Sequence, residues 1–178
     1  MEIRDHHLIG VKQLESPNHD QRPDVDLELI VVHGISLPPG EFGGSEVEQL
    51  FLNTLDTSRA GLEDLAGVHV SSHVFIKRTG EIVQFVPFNR RAWHAGVSEF
   101  RGRQSCNDFS IGIEVEGTDH ESYTAEQYDV LGDVCATLMR AYDIHEIRGH
   151  SDVAPGRKTD PGPAFSWLTL MRRVAKTL

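Results

Sequence analysis

Residues 27–33 read Leu-Glu-Leu-Ile-Val-Val-His, a dense apolar and β-branched run that stops on a histidine and a glycine. A strand with one wet face would alternate apolar with polar residues, so this run reads as a strand buried on both faces. The rest of the chain supplies the layers to bury it. Ser45 is placed to cap a helix over 46–53, with Glu48 as the third-position acid of a capping box. Residues 73–77 and 81–86 flank Arg78-Thr79-Gly80, which predicts a hairpin. Ser110 to Glu116 is a further strand, and Thr124 caps a helix to Tyr142 with Gln127 at its third position. Ile144 to Arg148 is a short strand and Phe165 to Lys176 a last helix. Interleaved strands and helices predict a single α/β domain over 1–178, with a mixed central sheet flanked by helices. Residues 1–26, with Pro17 and Pro23 among polar residues, read as an irregular arm.

Charge narrows the partners. Seventeen basic and 27 acidic side chains give a formal charge of −10, a field that repels nucleic acid. The opening MEIRDHHLIG has no basic head followed by an apolar stretch, so a cytoplasmic location is expected. No apolar run approaches the ~20 residues that cross a bilayer, so no membrane partner is expected. Two cysteines, Cys106 and Cys135, are too few for a secreted disulfide scaffold.

Ten histidines invite a search for ligands, and two stand out by position. His33 closes the apolar strand and opens a glycine-rich loop. His150 repeats the pattern after Ile-Arg-Gly. Strand ends facing loops are where α/β sheets present ligands. Asp160 sits ten residues after His150 on a loop stiffened by Pro161 and Pro163. Two imidazoles and one carboxylate leave a fourth tetrahedral position for water, the arrangement of catalytic zinc. The set would lie at one edge of the sheet. Along IGIEVEG, Ile111, Ile113 and Val115 share one strand face; Gly112, Glu114 and Glu116 share the other. Either glutamate could act as a base there, and strand alternation does not choose between them. Lys158, two residues before Asp160, can reach the same site and stabilise an oxyanion.

Four stretches taken in order, VVHGISLPPGEFGG, IVQFVPFNRRAWHAGVS, CNDFSIGIEVEGTD and GHSDVAPGRKTDPGP, resemble the zinc amidases of the AmpD type. These belong to the broader N-acetylmuramoyl-L-alanine amidase type 2 family. The likeness runs from Ser16 to Trp167. It implies zinc on His33, His150 and Asp160, Glu116 rather than Glu114 as proton acceptor, and Lys158 as transition-state stabiliser. It implies that Trp93 and His94, in Trp-His-Ala-Gly, line the cleft, with the Trp93 ring against a sugar. Gly34 and His69 depart from the family, which usually carries Asn and Arg there, and both touch expected substrate contacts. The implied reaction is hydrolysis of the amide between the lactyl group of (anhydro-)N-acetylmuramic acid and L-alanine of a stem peptide. The setting is cytoplasmic cell-wall recycling, and the protein is expected as a monomer acting on a small muropeptide. Because such peptides carry carboxylates, a locally basic cleft is expected from Arg90, Arg91, Arg101, Arg103 and Arg157.

Overall fold

The computed structural model describes residues 1–178. Four short strands open the chain: β1 (Ile3–Arg4), β2 (His7–Leu8), β3 (Lys12–Gln13) and β4 (His19–Gln21). Then follow β5 (Leu29–Ile35), α1 (Glu46–Phe51), β6 (Val74–Ile76), β7 (Ile82–Gln84), β8 (Arg90–Ala92), β9 (Glu99–Phe100), β10 (Arg103–Gln104) and β11 (Ser110–Glu116). The chain ends with α2 (Ala125–Tyr142), β12 (Glu146–Gly149), α3 (His150–Val153) and α4 (Trp167–Thr177). Six strands form one mixed sheet in the order β12-β5-β11-β6-β7-β3. Pairing is parallel from β12 through β6, antiparallel between β6 and β7, and parallel again between β7 and β3.

The central strands sort their side chains by alternation. Ile30 and Val32 of β5, with Ile111, Ile113 and Val115 of β11, join the core under α2, where they meet Leu131, Val134, Cys135 and Leu138. Each such side chain, once fully buried, contributes about 1.5–3 kcal/mol. α2 is held at its start by a complete capping box between Thr124 and Gln127, which satisfies two amides that would otherwise lack partners. On the opposite face, Leu29 and Val31 pack with Phe109 and Val153. Beside them, Val47, Leu50 and Phe51 of α1 cover Phe75, Val83 and Phe85. His33 emerges between these two apolar clusters.

Two expectations are corrected. The arm 1–26 is built into the fold: β3 is the far edge of the main sheet, and β4 pairs antiparallel with β8. Ser45 makes no side-chain cap to α1. Glu48, expected to close that cap, is drawn away by Lys12 Nζ at 2.8 Å and Lys77 Nζ at 2.7 Å. Two ammonium groups outcompete one backbone amide for a carboxylate, and the ion pairs tie the arm and the hairpin to α1.

Candidate metal centre

Sheet register explains why two distant histidines meet. β12 runs parallel to β5 with Gly149 opposite Val32, so the next residues, His150 and His33, emerge side by side at the strand ends. His33 is 1% and His150 4% exposed. Their Nδ1 atoms lie 2.9 Å apart. The loop after α3 returns Asp160, whose Oδ2 is 3.1 Å from His150 Nδ1 and 3.3 Å from His33 Nδ1. The loop is fixed at two points: Ser151 N donates to the Asp160 carbonyl at 2.9 Å, and Tyr123 Oη donates to the Pro161 carbonyl at 3.0 Å.

The donor set fits a metal ion. Ligand atoms about 2.0–2.1 Å from a tetrahedral centre stand about 3.3 Å from one another, close to the spacing seen. The outward nitrogen of His150, Nε2, lies 3.2 Å from the Ala95 carbonyl. A carbonyl only accepts, so His150 Nε2 is the donor in this contact, and Nδ1 is the nitrogen turned toward His33 and Asp160. Burial lowers the pKa of His33 to about 4, against the opposing pull of Asp160, so this ring is neutral at neutral pH. Two imidazole nitrogens and a carboxylate oxygen thus converge on one point, a donor set that a cation satisfies.

A cavity of about 280 Å³ opens beside this cluster. Glu114, Lys158, Gly34, Trp93 and His94 line it with the ligands His150 and Asp160. The two glutamates of β11 part company here. Glu114 Oε1 stands 4.0 Å from His33 Nδ1, and its Oε2 is buried with no hydrogen-bond partner. Burial, and next the charge of Asp160, raise its pKa well above the ordinary value; Lys158 opposes them. Glu116, the expected proton acceptor, does not line the cavity. Its carboxylate accepts from the backbone amides of Gly43 at 2.6 Å and Arg78 at 2.8 Å. Each of its oxygens thus accepts from one loop amide.

The other expected contacts also resolve by geometry. Trp93 is half-buried, and its indole Nε1 donates to Asp20 Oδ2 of β4 at 3.1 Å. His94, expected at the substrate, is buried with Nδ1 only 2.9 Å from His33 Nε2. The Trp-His-Ala-Gly segment thus supplies the outer partners of both histidine ligands, one through a side chain and one through a carbonyl. Gly34 is required by close approach: a Cβ there would stand 2.3 Å from Tyr123 Oη and 3.3 Å from Pro161 Cα. His69 is exposed and outside the cavity, while its neighbours Val68 and Val70 line it.

No basic cleft forms. Arg91 pairs with Asp108 and Asp20, Arg101 with Glu146, and Arg103 with Glu28. Arg90 reaches toward His19, and Arg157 donates to the carbonyls of Ala95 and Val97. Lys158 is the one cation lining the cavity, whose other wall is apolar: Ile35, Leu37, Leu50, Phe51 and Leu65. The Ala95 carbonyl, Asp20 and Tyr123 were beyond sequence reading, because a backbone acceptor carries no residue signature and the other two act across long separations.

Comparison with known proteins agrees with this geometry. Residues 23–163 match the family model described as N-acetylmuramoyl-L-alanine amidase. The 1,6-anhydro-N-acetylmuramyl-L-alanine amidase AmpD of Escherichia coli K12 is 52% identical over 173 residues, covering 95% of this chain and 94% of the relative. A crystal structure of a selenomethionine AmpD derivative superposes with a TM-score of 0.95 at 48% identity, covering 98% of this chain and 99% of that one. A more distant structure is that of E. coli AmiD in complex with anhydro-N-acetylmuramic acid-L-Ala-D-gamma-Glu-L-Lys. Its TM-score is 0.62 at 27% identity, over 86% of this chain and 60% of AmiD. The chain therefore belongs to the N-acetylmuramoyl-L-alanine amidase family, and within it to the AmpD type.

Proposed function

We propose that this chain is a zinc-dependent amidase that cuts the amide between the lactyl group of 1,6-anhydro-N-acetylmuramic acid and L-alanine of a stem peptide. Its place is cytoplasmic recycling of wall fragments, with a monomer acting on a small muropeptide. One observation carries the reading: a metal-competent triad stands at a cavity lined by two of its members, His150 and Asp160, together with Lys158 and Glu114, whose Oε2 is buried without a partner. The substrate class is supported by the AmpD relatives and by the muropeptide bound in AmiD. No helix is long and apolar enough to cross a membrane.

His33 Nδ1, His150 Nδ1 and Asp160 Oδ2 would hold the zinc. When bound, the ion supplies Lewis acidity and brings the pKa of a coordinated water to about 7. The remaining chemistry belongs to side chains. Glu114 takes the proton of the attacking water and returns it to the leaving alanine nitrogen. Burial, and next the charge of Asp160, raise its pKa, which makes its carboxylate a stronger proton acceptor than an ordinary one. Lys158 faces the developing oxyanion and steadies its charge. Trp93, braced by Asp20, offers its face to the sugar. The apolar wall keeps water from competing with the peptide.

We give this role to Glu114 rather than to Glu116 because Glu114 lines the cavity beside the cluster and Glu116 does not. Paired variants test the choice. Glu114→Gln is expected to lose about 10²–10⁴-fold in kcat while still binding zinc. Glu116→Gln is expected to stay within about tenfold of wild type, since it loses positioning alone. Inactivity confined to the Glu116 variant would overturn the assignment.

A further inference from the structure

We infer that the proton position on His33 is set from a distance, by a one-way chain of hydrogen bonds ending on the Cys106 carbonyl. His94 and Ser110 are then positioning residues for the metal. The inference rests on the reading above, in which His33 binds zinc through Nδ1.

The direction of the chain follows from its far end. A carbonyl oxygen can only accept. Ser110 Oγ lies 2.5 Å from the Cys106 carbonyl, so the single hydroxyl proton points there. That leaves only lone pairs on Ser110 Oγ to face His94 Nε2, 3.3 Å away. His94 Nε2 must therefore carry the ring proton, and His94 Nδ1 is bare. This bare nitrogen stands 2.9 Å from His33 Nε2. His33 Nε2 must then be the donor, and a neutral imidazole protonated there has a bare Nδ1. Nδ1 is the atom that faces His150 and Asp160. Four links thus deliver one outcome, a lone pair aimed at the metal position.

The His94 ring is held firmly enough for the chain to act. It lies on the backbone of Gly112, where a Cβ would come within 2.4 Å of His94 Cγ. The ring of His73 packs edge-on, with centroids 5.7 Å apart. Asn107 Oδ1 accepts from the amides of His94 at 3.2 Å and Ala95 at 2.7 Å, which fixes the segment on both sides. Ser110 is 0% exposed, so water does not substitute for its hydroxyl. Without that hydroxyl, the His94 proton loses its acceptor and is free to move to Nδ1. His33 Nε2 then has to accept, its own proton shifts to Nδ1, and that proton occupies the direction the metal needs.

Two measurements on the full chain test this. Nitrogen-15 NMR of the histidine rings in metal-free protein reads the tautomer directly, and competition against a chelating dye reads Zn²⁺ affinity. Wild type is expected to show His33 protonated on Nε2. Ser110→Ala is expected to populate the Nδ1-protonated form and to bind zinc about tenfold more weakly. His94→Phe, which removes the acceptor, is expected to lose about 10–100-fold. His94→Asn, whose side-chain oxygen can stand where Nδ1 does, is expected to restore the tautomer and most of the affinity. Wild-type tautomer and affinity in both Ser110→Ala and His94→Phe would overturn the inference, as would a wild-type His33 protonated on Nδ1. A protein with the expected tautomers but no zinc affinity would instead sink the metal reading and leave the chain standing.

Discussion

His33 and His150 present the same atom to the same point but are held in unlike ways. His33 sits at the end of a central strand, buried between two apolar clusters, and its outer nitrogen meets another side chain, His94. His150 opens a four-residue helix after an edge strand, and its outer nitrogen meets the Ala95 carbonyl. One imidazole is oriented by a side chain that a point mutation can change, the other by backbone that it cannot. The β5 side is therefore the tunable half of the centre. The β12 side depends on the loop that also carries Asp160, pinned by Tyr123 and Ser151.

The largest effect is expected where the two halves meet. Asp160→Asn should remove the shared charge and abolish both tight zinc binding and turnover, as read by metal analysis and an amide-cleavage assay; loss of a ligand exceeds the 10–100-fold typical of a ligand's outer partner. Next comes the loop. Gly34→Ala should cost about 1–3 kcal/mol in urea unfolding, because the added methyl meets Tyr123 Oη at 2.3 Å and the hydroxyl must leave Pro161. Tyr123→Phe, which keeps the ring, should cost about 0.5–1.5 kcal/mol. A greater cost for Tyr123→Phe than for Gly34→Ala would mean that the hydroxyl bond matters more than the packing.

Arg157→Ala probes the backbone-held half. Its guanidinium shares the Ala95 carbonyl with His150 Nε2, so its loss should leave the His150 tautomer unchanged and lower zinc affinity by less than about tenfold. A shifted His150 tautomer in the same NMR experiment would show that the carbonyl alone does not orient the ring.

A further effect, visible only in acid, lies behind the tunable half. Burial lowers the pKa of His73 to about 3, with Arg22 adding to it. Its unfolded value is about 6.5. Between these values the unfolded chain binds the extra proton, so stability is complete above pH 6.5 and falls as pH drops toward 3. His73→Gln should flatten the dependence of Tm on pH in that window, by at most about 1.4 kcal/mol per pH unit. An unchanged slope would assign the acid sensitivity to other groups.

That His33 and His150 come together was legible in the sequence because strand ends are local signals: a β-branched run stopping on His33, and a short strand stopping on His150. The sheet, its hairpin and the Thr124 cap were legible for the same reason. What failed depended on contacts made across the chain. Strand alternation correctly put Glu114 and Glu116 on one face. What it does not show is that the loops at Gly43 and Arg78 close on Glu116 while Glu114 lines the cavity. Arg91, Arg101 and Arg103 found acidic partners in Asp20 of β4, Glu146 of β12 and Glu28 just before β5, which no local pattern announces. Ser45 failed as a cap because Glu48 met lysines from β3 and the hairpin.

A crystal structure grown with zinc, with anomalous scattering to place the ion, is the most direct test of the centre. The expected result is one ion about 2.0–2.1 Å from His33 Nδ1, His150 Nδ1 and Asp160 Oδ2, with Glu114 rather than Glu116 facing its open side. An ion held through His33 Nε2, or bound elsewhere with the triad left empty, would contradict it.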